Sequence, residues 1–285
     1  MNKTTPDRDT MQQPELEYGL AGQTFRLMMD NGREYTATFL TGELVQWAEL
    51  GEPLRWETYR CLKSDDTTWF VVMELFGAEL RTCRTLVLDL EQSLVTMHVA
   101  RQGGIPHRPR MVEVEILFGA IKLPGQTPPV KRHSYTADLA GKKVTWTYHN
   151  GFINTHIYVS EHYCRAWAVQ RPPLPPDITP ERLWRLKTNE EREKVWFYEE
   201  PLRCVKIKDG CYLCSFIEEN MNKLDNHIGG NNLVILSNMA KGFDVGRSFK
   251  MTDDDNQPQS RMMIAHGHYS DEATPVDDLP SPYRV

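Results

Sequence analysis

At 285 residues the chain is about twice the usual single-domain length, so it can enclose two hydrophobic cores. Its net charge is −6, and Lys and Arg are interspersed among acids in a chain that is 25% charged, which argues against nucleic acid or an anionic membrane surface as the main partner. No apolar run is long enough to span a bilayer and Met1–Leu16 has no apolar signal core, so the six cysteines (Cys61, Cys83, Cys164, Cys204, Cys211, Cys214) read as reduced thiols of a cytoplasmic protein.

Residues 1–17 are polar and read as a tail. Phe25–Met29 and Tyr35–Leu40 alternate like half-buried strands around the hairpin signal Asn31-Gly32, and an extended stretch continues to Trp47. Glu52-Pro53-Leu54-Arg55 precedes strand-like runs at Thr67–Leu75 and Leu86–Leu88, which complete an N-terminal barrel-like domain over 18–125. Residues 126–137, with Pro, Lys and Arg, read as a linker. In the C-terminal domain, 138–269, Val144, Trp146 and Tyr148 share one parity, Asn150-Gly151 turns the chain, and His156, Tyr158 and Ser160 share a parity on the return strand. An insertion over 170–199 opens on the polyproline stretch Arg171–Pro176, after which Thr179-Pro180 starts a helix running to about Val195. That helix packs on the barrel wall, caps a barrel mouth or supports a homodimer contact. Arg203–Lys208 and Cys211–Ile217 form a further hairpin through Asp209-Gly210, and 270–285 form a second tail.

The two halves repeat one another in order. Leu20-Ala21-Gly22 recurs as Leu139-Ala140-Gly141, Asn31-Gly32 as Asn150-Gly151, Trp47 as Trp167, Glu52–Arg55 as Glu200–Arg203, and Leu86–Leu88 as Leu233–Ile235. Short strands joined by tight turns, duplicated along the chain, define the expected fold as all-β: two lipocalin-like (calycin) antiparallel barrels from an internal duplication, with one inserted helix.

Tyr148–Gly151, the stretch Lys206–Asn220 and Asp244-Val245-Gly246-Arg247 resemble the MoaF family, in its C-terminal domain, and the first half follows through the repeat. The resemblance implies an N-terminal and a C-terminal calycin-like MoaF domain, and the family's name points toward cofactor biosynthesis. A barrel with a pocket supports many functions, so the chemistry has to come from the residues.

Gly229-Gly230 precede a strand rather than a helix, which removes phosphate-loop and dinucleotide readings, and no G-x-S-x-G elbow is present. Cys211 and Cys214, three apart on a strand, lie on opposite faces and without a second C-x-x-C are not a zinc pair. His266 and His268 share a face and form a candidate metal site, with His156 or Glu218 as third ligand, but the expectation is no metal and no cofactor. The expected pocket is in the second barrel. Glu218, His156 and Tyr158 would carry acid–base work, while Trp146, Tyr148, Arg165, Trp167 and Arg247 would bind an aromatic or conjugated acid, a guanidinium fork taking its carboxylate. The first half offers the poorer set Arg26, Gln46, Glu74 and His98, and reads as the structural copy. The function expected is a cofactor-free lyase, isomerase or decarboxylase; the alternative is a non-catalytic binding protein for a hydrophobic small molecule, linked to cofactor biosynthesis. Either way the partner is a small molecule, with no nucleic acid and no membrane.

Overall fold

The computed structural model describes residues 14–75, 81–103, 112–149, 151–170, 197–218, 231–251 and 258–270. Strands β1 (Thr24–Met29), β2 (Glu34–Phe39), β3 (Leu44–Glu49), β4 (Arg55–Lys63), β5 (Thr68–Leu75), β6 (Arg81–Asp89), β7 (Leu94–Gln102) and β8 (Val112–Lys122) form an antiparallel meander that β8 closes onto β1. After the two-residue β9 (Ser134–Tyr135), strands β10 (Lys143–Tyr148), β11 (Ile153–Tyr158), β12 (Tyr163–Gln170), β13 (Phe197–Lys208), β14 (Cys211–Ile217), β15 (Asn232–Asn238), β16 (Phe243–Met251) and β17 (Pro258–Ser270) form a second, which closes through β17–β10 and β12–β13. The protein is all-β with two closed eight-stranded barrels, and among the described residues there is no helix. The helix expected from Thr179-Pro180 to about Val195 lies outside the described residues; of the insertion over 170–199, Gln170 ends β12 and 197–199 open β13. Among the described residues no helix is long and apolar enough to cross a membrane.

The duplication extends to single backbone hydrogen bonds. The Gly22 amide donates to Phe39 O and the Gly141 amide to Tyr158 O, both at 2.7 Å; Met29 donates to Arg33 O at 2.9 Å and Tyr148 to Phe152 O at 2.8 Å. Each of these hairpins also has a three-residue connection in which glycine takes a left-handed conformation, φ 84° at Gly32 and 81° at Gly151. This register corrects two of the matched words. Leu44 and Tyr163 both accept from the strand before, so the counterpart of Trp47 is Ala166, not Trp167. Likewise Tyr59, whose amide bonds Glu43 O, corresponds to Leu202, whose amide bonds His162 O. Glu52–Arg55 and Glu200–Arg203 are therefore not equivalent, and their leucines show it: Leu54 is 52% exposed and Leu202 2%.

The barrels share a third core between them. Leu62, Phe70 and Val87 from the outside of the first pack against Val205, Leu213, Val234 and Leu236 from the outside of the second. Strands β7 and β15 are in consequence buried on both faces, whereas β1 and β2 alternate buried and open positions. Pairing registers make Leu62 equivalent to Val205, Phe70 to Leu213 and Val87 to Leu236, so the two barrels meet through corresponding faces, as the subunits of a two-fold homodimer do. Residues near such an axis meet their own counterparts. His98 and Arg247 are equivalent and touch, Nη2 to Nδ1 at 3.2 Å; Asp65 and Lys208 are equivalent and form an ion pair at 2.9 Å. The segment between the barrels is fastened down: His133 is buried with Nδ1 2.8 Å from Thr96 Oγ1, and Arg132 pairs with Asp30 at 2.6 Å.

All six cysteines are buried free thiols. Cys211 faces the inter-barrel core and Cys214 the interior of the second barrel, the opposite faces that strand alternation requires. Burial pushes the Cys211 thiol up to about 12 and those of Cys61, Cys83, Cys164 and Cys214 upward as well. A colourless aromatic disulfide reagent at pH 8 is therefore expected to leave the native protein unmodified and to titrate all six thiols once it is unfolded; prompt reaction of native thiols would contradict this burial.

Candidate functional site

The inner wall of the second barrel is built by alternation along its strands. Trp146 and Tyr148 point inward from β10, Tyr158 from β11, and Cys214 and Phe216 from β14. His156 joins them, its ring 5.2 Å from that of Phe216 and 6.3 Å, edge-on, from that of Tyr158. Room for the indole of Trp146 comes from its cross-strand neighbour Gly267, where a Cβ would collide with the ring. In the first barrel the corresponding positions hold Leu27 for Trp146, Ala37 for His156 and Phe39 for Tyr158, and that interior is lined mainly by apolar side chains.

Hydrogen-bonding capacity in this wall is largely unused. Trp146 Nε1, His156 Nδ1, Tyr158 Oη, Ser237 Oγ and both carboxyl oxygens of Asp244 are out of solvent and make no hydrogen bond of normal geometry, whereas buried polar groups are nearly always paired. His156 Nε2 lies 3.1 Å from the Asn154 side-chain nitrogen. Ser237 and Asp244 face each other across β15 and β16. Burial lowers His156 to about 4 and raises the Tyr158 hydroxyl, which sits among the Cys214, Cys164 and Cys204 sulfurs. Burial also raises the Asp244 carboxyl well above the carboxylate range, against a smaller downward pull from the Ala265 amide. At neutral pH the interior therefore holds a neutral imidazole and a phenol beside three buried carboxyl groups, Asp244 on β16, Glu200 on the inward parity of β13 and Glu218 just beyond β14.

Several expected site residues lie elsewhere. Arg165 sits between the inward-facing Cys164 and Ala166 and points outward, its Nε 2.6 Å from Glu199 on β13. Arg247 alternates with Gly246 and Ser248 and points away from the interior into the inter-barrel core, fully buried, donating to Thr85 Oγ1 at 3.0 Å and Asn232 O at 2.8 Å. Neither guanidinium can take a carboxylate inside the second barrel. Trp167 pairs in register with Thr155 and Phe197. Glu218 is buried just beyond β14, on the parity of Phe216, with its carboxylate accepting from the Asn231 side chain and its amide donating to Asn231 O. His266 is exposed beside the Phe243 ring and faces outward, so the barrel wall separates it from His156; His268 pairs with Thr145 one register step along. Among the described residues no group of three His, Cys, Asp or Glu is placed to hold a metal ion.

The four residues noted in the first half also face out: Arg26 bonds Glu34, Glu74 bonds Arg60, Gln46 is on the outer parity beside Trp47, and His98 is in the inter-barrel core with Nε2 2.8 Å from Ser215 Oγ. Asp244 and Ser237 were not expected, and their alternation with Val245 and Leu236 is the signal that carries them.

Two closed eight-stranded antiparallel barrels, one mainly apolar inside and one lined with buried polar and aromatic groups, fit the lipocalin-like class of small-molecule binders. Residues 12–103, about a third of the chain and most of the first barrel, match the family model of the MoaF N-terminal domain. The matched residues lie in the half that follows the resemblance only through the repeat; the motifs from the second half lie beyond them. No curated protein matches the chain.

Proposed function

We propose that this protein is a small-molecule binder whose second barrel takes a neutral, hydrogen-bonding aromatic ligand. The supporting observation is the set of buried, unpaired groups on that barrel's wall, Trp146, His156, Tyr158, Ser237 and Asp244, which a ligand's hydroxyl or carbonyl would complete. The carboxyl groups on this wall, with Arg165 and Arg247 both outside the lumen, favour an uncharged ligand over the carboxylic acid expected from the sequence. Titration of the full chain with 2-naphthol, followed by tryptophan fluorescence, is expected to saturate with a single site, and His156→Phe is expected to weaken binding about tenfold by removing one buried hydrogen bond. A flat titration, or equal affinity in the variant, would sink this reading.

A second reading is catalytic: a lyase, isomerase or decarboxylase step on an aromatic or conjugated substrate. It is supported by His156, which stays neutral at pH 7 and can accept a proton, and by Glu218 on the same inward parity. Glu218→Gln separates the readings, because a catalytic Glu218 requires loss of turnover with ligand affinity retained.

A further inference from the structure

Most of the inner wall of the first barrel is apolar, and its charged positions include Arg84 and Glu57. Arg84 on β6 shares the inward parity of Leu86 and Leu88, and its guanidinium stands 4.4 Å above the Trp47 ring, which in turn stacks on Tyr35 at 4.9 Å. Its Nε and Nη1 are out of solvent and have no hydrogen-bond partner, although the residue keeps an exposed edge and so remains reachable. Burial draws its pKa down only to about 10, so it is a cation at neutral pH. A guanidinium stripped of water without partners is costly, and one retained for packing would be completed by the protein, as Arg247 is. Cation–π contact with Trp47 offsets part of that cost and leaves the donors in the guanidinium plane unused.

Nearby charges do not complete it. Glu49 is engaged by Arg33 at 3.4 Å and Arg101 by Glu115 at 2.9 Å. Glu57, on the inward parity of β4, feels the charge of Arg84 but makes no hydrogen bond to it, and burial holds its carboxyl above the usual range. Internal comparison sharpens the point. The second-barrel counterparts of Arg84, Trp47 and Tyr35 are Leu233, Ala166 and Asn154, so cation and aromatic bed are present together in one barrel and absent together from the other.

We infer that the first barrel is a second ligand site, which takes a small organic carboxylate: the free N–H groups of Arg84 hold the carboxylate, and the Trp47–Tyr35 wall receives its apolar body. The two barrels then bind ligands of different charge. This site stands independently of the neutral site proposed for the second barrel.

The full chain, labelled with 15N at arginine, is titrated with benzoate, cinnamate and hexanoate, each beside its uncharged amide, with sodium phosphate as an inorganic control. At least one acid is expected to bind saturably and to move the Nε–H resonance that Arg84→Met lacks. Arg84→Met is expected to bind that acid at least about tenfold more weakly, the loss of one charge-assisted hydrogen bond, with Arg84→Lys between. His156→Phe is expected to leave this binding unchanged, so failure here and failure of the second-barrel reading are distinguishable. The inference is overturned if no acid moves the Arg84 resonance, if Arg84→Met binds undiminished, or if the amides or phosphate bind as tightly as the acids. The resonance shift is read in the unmutated protein and so does not depend on the stability of any variant.

Discussion

Replacing Arg247 by alanine is expected to destabilise the protein by about 3–5 kcal/mol and to loosen the two barrels from each other. The guanidinium is fully buried where the outer faces of the barrels meet, and its three hydrogen bonds end on Thr85 and His98 of one barrel and on the Asn232 carbonyl of the other. The network continues from His98 Nε2 to Ser215 Oγ at 2.8 Å and from the Asn232 side chain to the same hydroxyl at 3.3 Å. Truncation leaves these groups buried without a partner and opens a cavity the length of an arginine, so both transfer and cavity costs apply. Arg247→Met fills the space and is expected to cost less, because only the polar groups are then unmatched. Urea unfolding at pH 7 followed by fluorescence checks this; an Arg247→Ala midpoint within error of the unmutated protein would show that the contact adds nothing to the docking of the barrels.

This network shows how far the sequence could be read. Alternation and turn chemistry identify Phe25–Met29, Tyr35–Leu40, Val144–Tyr148 and the Asn31-Gly32 turn, because one face of each strand is buried and the other open. Parity alone, however, cannot say which face is inside. In β16 the apolar parity, Val245 and Phe249, faces the other barrel, and the polar parity, Asp244 and Ser248, faces the lumen, the reverse of the usual pattern. Sequence parity therefore puts Arg247 in the lumen and gives no sign of Asp244 there. Arg165 was misplaced for a related reason: matching Trp167 to Trp47 shifts the register by one residue, which exchanges the two faces of the strand. Arg84 is invisible at this level, since Thr82-Cys83-Arg84-Thr85 carries no period and only closure of the barrel turns its position into an interior one.

Acid is expected to destabilise the protein through its buried histidines, with a sign and size that variants can isolate. His156 is held at about 4 by burial and has an ordinary value near 6.5 once unfolded, so between those values the unfolded chain binds a proton the native chain refuses. Its contribution is fully present above about pH 6.5 and is lost as pH falls toward about 4, amounting to about 3 kcal/mol at roughly 1.4 kcal/mol per unit. His98 is lowered well below its ordinary value by burial and by Arg247, and acts in the same direction. Asp244 acts in the opposite one. Its carboxyl is raised, so in this window the native chain holds a proton that the unfolded chain has released, and stability from this group falls as pH rises. The two histidines and Asp244 therefore pull in opposite directions across this window. Removing Asp244 with Asp244→Asn is then expected to steepen the acid loss, and removing His156 with His156→Phe to flatten it by about one proton. Denaturant midpoints measured across this range for the three proteins decide the matter: an unchanged slope in His156→Phe means that the imidazole is not held neutral inside the barrel, and its part as a neutral hydrogen-bonding group in ligand selection would go with it.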